Sequence, residues 1–246
     1  MVEVKNCHKL KIKFKQQYIK RLLVYTEMHR LPLKIAVYWS KLAVWTLVPA
    51  SCLDLVNHKT CVLEFGRALA INEMALLGDT TIGTRLPLRI RLLSIPGSVD
   101  NSLNGEVKFT INKVEIYSRD LLIQDKFEQN LAFQLMRWHG SSSANFIMEP
   151  LTTDEKLMGI EWRLESYEEA FDKQFEIIGS LSTIISNQYN AASAPDGYID
   201  KLIPPSEPEK FSIYIPENYK GKHLPIWRFT QIPNPNFTCV QRTRTI

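Results

Sequence analysis

A carboxylate and an amine stand two positions apart near the start of the chain, as Glu3 and Lys5 in Val2-Glu3-Val4-Lys5. Apolar and charged residues alternate there, which predicts a short strand over 1–5, and on a strand the side chains at i and i+2 share a face. Such a pair suits phosphodiester hydrolysis. A carboxylate, helped by a backbone carbonyl, holds a divalent metal that polarises the phosphate and lowers the pKa of an attacking water. A lysine on the same face orients that water or offsets developing charge. The same alternation turns Val2 and Val4 toward a core.

Positive charge follows immediately. Lys9, Lys11, Lys13 and Lys15 alternate, and Lys20 and Arg21 come next; between Lys5 and Arg21 stand seven Lys/Arg and no Asp or Glu. A run without compensating acids is the footprint of an anionic partner such as a nucleic acid. The whole chain carries only +4, so without that run the remainder is at −3.

The elements that must position these residues follow from periodicity. Residues 13–29 read as a helix, with Phe14, Tyr18, Leu22 and Tyr25 on one face, closed by Leu31-Pro32. Strands are expected over 33–39 and 43–48, as a hairpin, and a helix over 64–77 that stops at Gly78. Residues 86–93 should be a strand bearing Arg89 and Arg91. The Gly/Asn/Ser/Pro-rich stretch 95–105 is the best boundary between two halves. Beyond it lie an alternating strand segment over 106–117, helices over 124–138 and 165–189, and a Pro-rich tail from 204 with a short strand over 211–215.

The order strand, basic helix, buried strand, with Val2-Glu3-Val4-Lys5 followed by Leu31-Pro32-Leu33-Lys34-Ile35-Ala36-Val37, resembles the second half of the restriction-endonuclease-like PD-(D/E)xK nuclease core. It is most similar to the Holliday-junction-resolvase branch. The resemblance covers roughly the first 50 residues and rests on short motifs. It implies Glu3 as a metal ligand, Lys5 as the catalytic lysine, the Val4 carbonyl as a further metal contact, Mg²⁺ as cofactor and DNA as substrate. Gln16 or Gln17 would stand near the active site. The family's first acidic ligand comes from an earlier strand, and this chain starts two residues before Glu3. The expectation is therefore a shortened reading frame or a carboxylate supplied from elsewhere, with the bare edge an association hazard.

The expected fold is α/β: a mixed sheet with flanking helices, a partial restriction-endonuclease-like core over 1–95, then an α+β region over 96–246 of unknown role. The expected function is a metal-dependent DNA endonuclease, inactive if the core stays incomplete. The competing reading is a non-catalytic nucleic-acid-binding or protein-interaction module with a vestigial nuclease core, and a homo-oligomer is left open.

Several other patterns read as ordinary structure. Glu106-Val107-Lys108 repeats the Glu-x-Lys tripeptide with nothing basic or helical after it. Tyr38, Trp39 and Trp45 could stack on bases but suit a hairpin core better. Cys52, His58 and Cys61 lack a fourth ligand at zinc-motif spacing. His139 and His223 have no paired acid or nucleophile at motif spacing, Asp79 fits a turn, and the sequon at Asn236 is a chance match. Four cysteines without a CxxC pair predict reduced thiols and a cytoplasmic setting. With 45% hydrophobic and 23% charged residues in 246, disorder and coiled coil are excluded, and the longest apolar runs are too short to span a membrane.

Overall fold

The computed structural model describes residues 1–101, 106–139, 146–154, 156–166, 175–194, 197–199 and 214–237. The α/β class expected from the sequence is the class found: several sheets, mostly antiparallel, flanked by a few helices. The chain divides into two compact units, Met1–Thr80 with Thr230–Ile246, and Thr81–Phe229. The boundary expected at 95/96 falls inside the second unit. Among the described residues no helix is long and apolar enough to cross a membrane.

The first unit opens with β1 (Val2–Cys7), β2 (Lys11–Lys15) and α1 (Gln16–Met28). It continues through β3 (Lys34–Trp39), β4 (Val44–Pro49), β5 (Asp54–Val56), β6 (Thr60–Glu64) and α2 (Phe65–Ala70). One sheet has the order β1-β3-β4, with β1 parallel to β3 through the α1 crossover and β3 antiparallel to β4; a second has the order β2-β6-β5. The core gathers Ile19 of α1 with Ile35, Val37, Trp39, Val48 and Leu63. Trp39 donates its indole N–H to the Thr46 hydroxyl at 2.8 Å, so the largest buried ring leaves no polar atom unpaired.

α1 differs from its expectation in extent and face. Residues 11–15 are strand, because Lys11, Lys13 and Lys15 alternate with Ile12 and the buried Phe14 at period 2. The buried residues of α1 are Ile19 and Thr26, with Leu22 packed beside them, whereas Tyr18 and Tyr25 are exposed. The helix ends where Arg30 takes φ 52° and the Leu31 N–H donates back to the Thr26 carbonyl at 3.0 Å, a Schellman closure just before Pro32. The helix expected over 64–77 breaks: α2 ends at Ala70, and a separate 3₁₀ turn covers Met74–Leu77.

The second unit holds β7 (Thr81–Thr84), β8 (Leu88–Ser94), β9 (Asp100–Asn101), β10 (Val107–Lys108), β11 (Ile111–Ser118) and β12 (Leu121–Leu122). After α3 (Lys126–His139) come β13 (Phe146–Thr153), β14 (Lys156–Leu164), β15 (Glu176–Ser180), α4 (Leu181–Ser193) and β16 (Ile226–Phe229). A five-stranded antiparallel sheet runs β12-β11-β8-β14-β13, a three-stranded one β15-β7-β16, and β9 pairs with β10. α3 starts where the Asp125 carboxylate accepts the Glu128 N–H at 2.9 Å. The helix expected over 165–189 is replaced at its end by β15 and α4; the Ser180 hydroxyl caps α4 by accepting the Thr183 N–H. Residues 167–174 and 211–213 lie outside the described residues, and so do Cys239 and the strand expected over 211–215 apart from its last two positions.

Candidate nucleic-acid interface and active site

Cross-strand register decides which face of β1 is covered. Glu3 pairs with Ile35 and Lys5 with Val37, so both charged side chains lie on the face that α1 packs against. Val2 and Val4 lie on the other face and are 51% and 58% exposed. The expectation that these valines face the core is thus reversed. Alternation fixes that β1 has two faces; which of them is covered depends on where the crossover helix lands.

On the covered face the Glu3 carboxylate, 18% exposed, accepts twice at Oε1: from Lys5 Nζ at 2.6 Å and from the Tyr18 hydroxyl at 2.5 Å. Lys5 Nζ also stands 5.4 Å from the centre of the Tyr18 ring. Partial burial works to raise the Glu3 pKa, but the hydrogen bonds from Lys5 and Tyr18 and the lysine charge outweigh it and hold the carboxyl below its ordinary value. The hydrogen bond to Glu3 raises Lys5 against its desolvation and is the first cause that raises Tyr18. At neutral pH the pair is therefore carboxylate and ammonium. Lys5 can neutralise an anion but has no lone pair with which to take a proton.

The sequence sets Tyr18 on one helix face with Phe14, Leu22 and Tyr25, and its hydroxyl closes over Glu3. α1 begins directly after β2, and its first turn, which carries Tyr18, comes back to Glu3 on β1. Gln16 ties to the loop before β6, its N–H donating to the Lys59 carbonyl at 2.8 Å, and neither it nor Gln17 bonds to Glu3.

The Val4 carbonyl points away from the sheet. The Met1 carbonyl accepts from Lys34 N–H at 2.9 Å and the Cys7 carbonyl from Ser40 N–H at 3.1 Å. Odd residues of β1 therefore bond to β3, and the backbone groups of Val2, Val4 and Asn6 face the open edge. Glu3 and the Val4 carbonyl are two oxygen donors where a divalent cation takes six or more, and among the described residues no group of three His, Cys, Asp or Glu could hold a metal ion. The described residues do not by themselves fit a Mg²⁺ centre.

The six further cations expected to meet DNA do not form a basic helix. Lys11, Lys13 and Lys15 project from one face of β2, Lys9 precedes it, and Lys20 and Arg21 are on α1. All six are exposed. Among the described residues only Lys11 has an acidic partner, Glu64, at 2.8 Å.

The other candidates resolve as structure. Cys52 is disulfide-bonded, which corrects the expectation of reduced thiols throughout and removes it from any zinc site; Cys7 and Cys61 are free. Burial pushes the Cys61 thiol up. Tyr38 and Trp45 pack on each other across the hairpin, ring centres 5.1 Å apart, and Trp39 is core. The His223 N–H donates to the buried Glu128 carboxylate at 3.0 Å, tying the loop before β16 to α3. Glu106 and Lys108 are 4.0 Å apart and both exposed.

No protein-family model matches this chain, and no curated protein does. Among solved structures, Hjc of Archaeoglobus fulgidus, a Holliday junction resolvase from an archaeal hyperthermophile, aligns at 17% identity with a TM-score of 0.28. The match covers 31% of this chain and 62% of the resolvase, less than two thirds of its length. A likeness of that extent supports no inference about activity.

Proposed function

We propose that this chain is a DNA-binding protein whose first unit has a nuclease-like arrangement without completing a metal site from its described residues. The observation that carries the reading is the exposed basic strand: Lys11, Lys13 and Lys15 on one face of β2, flanked by Lys9, Lys20 and Arg21, with one acid among them. Cations so arranged bind a polyanion by releasing its condensed counterions, without reading sequence. The test is fluorescence anisotropy of a labelled duplex across a salt series without divalent metal. Affinity should fall steeply, by about tenfold or more between about 50 and 200 mM salt. Binding that stays flat would sink the proposal.

A second reading, a Mg²⁺-dependent DNA endonuclease, is favoured by one feature of β1. Glu3 and Lys5 share a half-buried face, and the Val4 carbonyl between them is open at the edge. Glu3 and Val4 would then be two of the ligands, with Lys5 as the catalytic cation, and the remaining carboxylates would come from outside the described residues. Plasmid nicking that requires Mg²⁺ and disappears in Lys5→Ala would establish it. Nicking by Lys5→Ala at the wild-type rate would end it.

The nuclease-like core of this proposal is the first unit; the second, from Thr81 to Phe229, has no assigned role. The free thiols of Cys7 and Cys61 suit the proposed cytoplasmic setting, while the disulfide at Cys52 runs against it. Non-reducing mass analysis of protein taken from cytosol, counting free thiols, decides between the two.

A further inference from the structure

Exposed sheet edges attract other strands, and proteins blunt them with short strands, lysines, prolines, bulges or covering groups. Nearly every described edge of this molecule carries such a device. β5, β9, β10 and β12 are two or three residues long and β16 is four. β2 carries three lysines, β13 carries Pro150 and a register shift after Leu151, and β15 shifts register after Ile177. The outer edge of β4 is capped: Asn72 Oδ1 accepts the Leu47 N–H at 2.9 Å, the Leu47 carbonyl accepts from Glu73 N–H at 2.8 Å, and the Trp45 carbonyl accepts from Asn72 Nδ2 at 3.3 Å.

β1 carries a single lysine, Lys5, drawn onto Glu3 on the face that α1 covers, and it has no proline, bulge or short length. It runs six residues in unbroken register with β3, and among the described residues nothing pairs with its outer side. Val2, Val4 and Asn6 present both backbone groups to that side, and Val2 and Val4 add exposed apolar surface.

The sequence of the edge names its partner. We infer that β1 pairs antiparallel with β1 of a second copy of this chain, about a two-fold axis through Val4. In that register Val4 meets its own counterpart, Val2 meets Asn6, and Glu3 meets Lys5. The outward backbone groups of Val2, Val4 and Asn6 then bond across the axis, and the two three-stranded sheets become one of six strands. On one face valine packs on valine. On the other, each Glu3 faces the other copy's Lys5 in a pair without backbone bonds between its members, where side chains approach most closely. A pairing centred on Glu3 or Lys5 would instead set like charges opposite one another, Glu3 on Glu3 or Lys5 on Lys5. The two-fold contact uses the same patch on both copies, as closed dimers require.

The test reads mass, without DNA, so its failure is separable from failure of DNA binding. Light scattering of the full chain across a dilution series should show a dimer dissociating to monomer. Val4→Pro removes an N–H that faces only the open edge and should give monomer. Glu3→Lys and Lys5→Glu each place like charges across the axis and should be monomeric alone, yet form a mixed dimer when combined. A wild-type chain that is monomeric throughout overturns the inference. A dimer that survives Val4→Pro, or two charge variants that stay apart when mixed, overturns it equally.

Discussion

The chain writes Glu-Val-Lys twice, and the two copies share almost nothing beyond their letters. Glu3-Val4-Lys5 lies on a six-residue strand whose charged face is roofed by α1, and its carboxylate is held by both Lys5 and Tyr18. Glu106-Val107-Lys108 borders the two-residue β10, and its ion pair is exposed on both sides at 4.0 Å. The tripeptide thus becomes a half-buried, hydrogen-bonded cluster only where the fold supplies a third group and a wall. In the first case the wall is the crossover helix that parallel pairing of β1 and β3 demands.

Three experiments probe that contrast, the largest effect first. Lys5→Ala leaves the Glu3 carboxylate half-buried without its cation and should cost about 1–2 kcal/mol in denaturant unfolding. Lys108→Ala should change stability by less than about 0.5 kcal/mol. Equal losses would erase the distinction between the two tripeptides.

Tyr18→Phe keeps the ring beside Lys5 and removes one donor to Glu3. Because the tyrosine is partly exposed, the loss should be about 0.5–1 kcal/mol. A neutral result would mean that α1, rather than its hydroxyl, does the positioning.

The smallest effect is on pH dependence. The folded pKa of Glu3 lies below its unfolded value, so its pairing stabilises the fold above the unfolded value and is lost as pH falls through the folded one. The stability difference between wild type and Glu3→Gln should therefore be constant near neutrality and shrink below about pH 4. A difference that grows on acidification would reverse the sign assigned to this carboxyl.

Much of the first unit could be read from residues alone, and the exceptions have physical causes. The β3–β4 hairpin was legible because two apolar runs flank a polar turn. Lys11, Lys13 and Lys15 are legible as a basic stretch, but the helix read over 13–29 takes in Lys13 and Lys15, although the alternation of all three at period 2 is a strand signal. The covered face of β1 was not legible, because local alternation is symmetric and only the gathering of Ile19, Ile35 and Val37 into one core breaks the tie. Tyr18 escaped for the same reason: its role depends on which side of β1 the helix lies. Within the helix read over 165–189, residues 176–180 form β15, since strand pairing with β7 outweighs local propensity; residues 167–174 lie outside the described residues. The stretch read as a boundary at 95–105 begins with the connection between β8 and β9, residues 95–99, where turn residues signal a loop whether or not a unit ends there.

DNA binding by the basic strand is tested most directly by comparing charge reversals in the two regions. In anisotropy titrations with a labelled duplex at low salt, Lys13→Glu with Lys15→Glu should weaken binding by about tenfold or more and flatten the log–log salt slope by about 2. Lys108→Glu should leave both unchanged. If the β2 reversals bind like wild type, or Lys108→Glu weakens binding as much as they do, the basic strand is not the DNA surface.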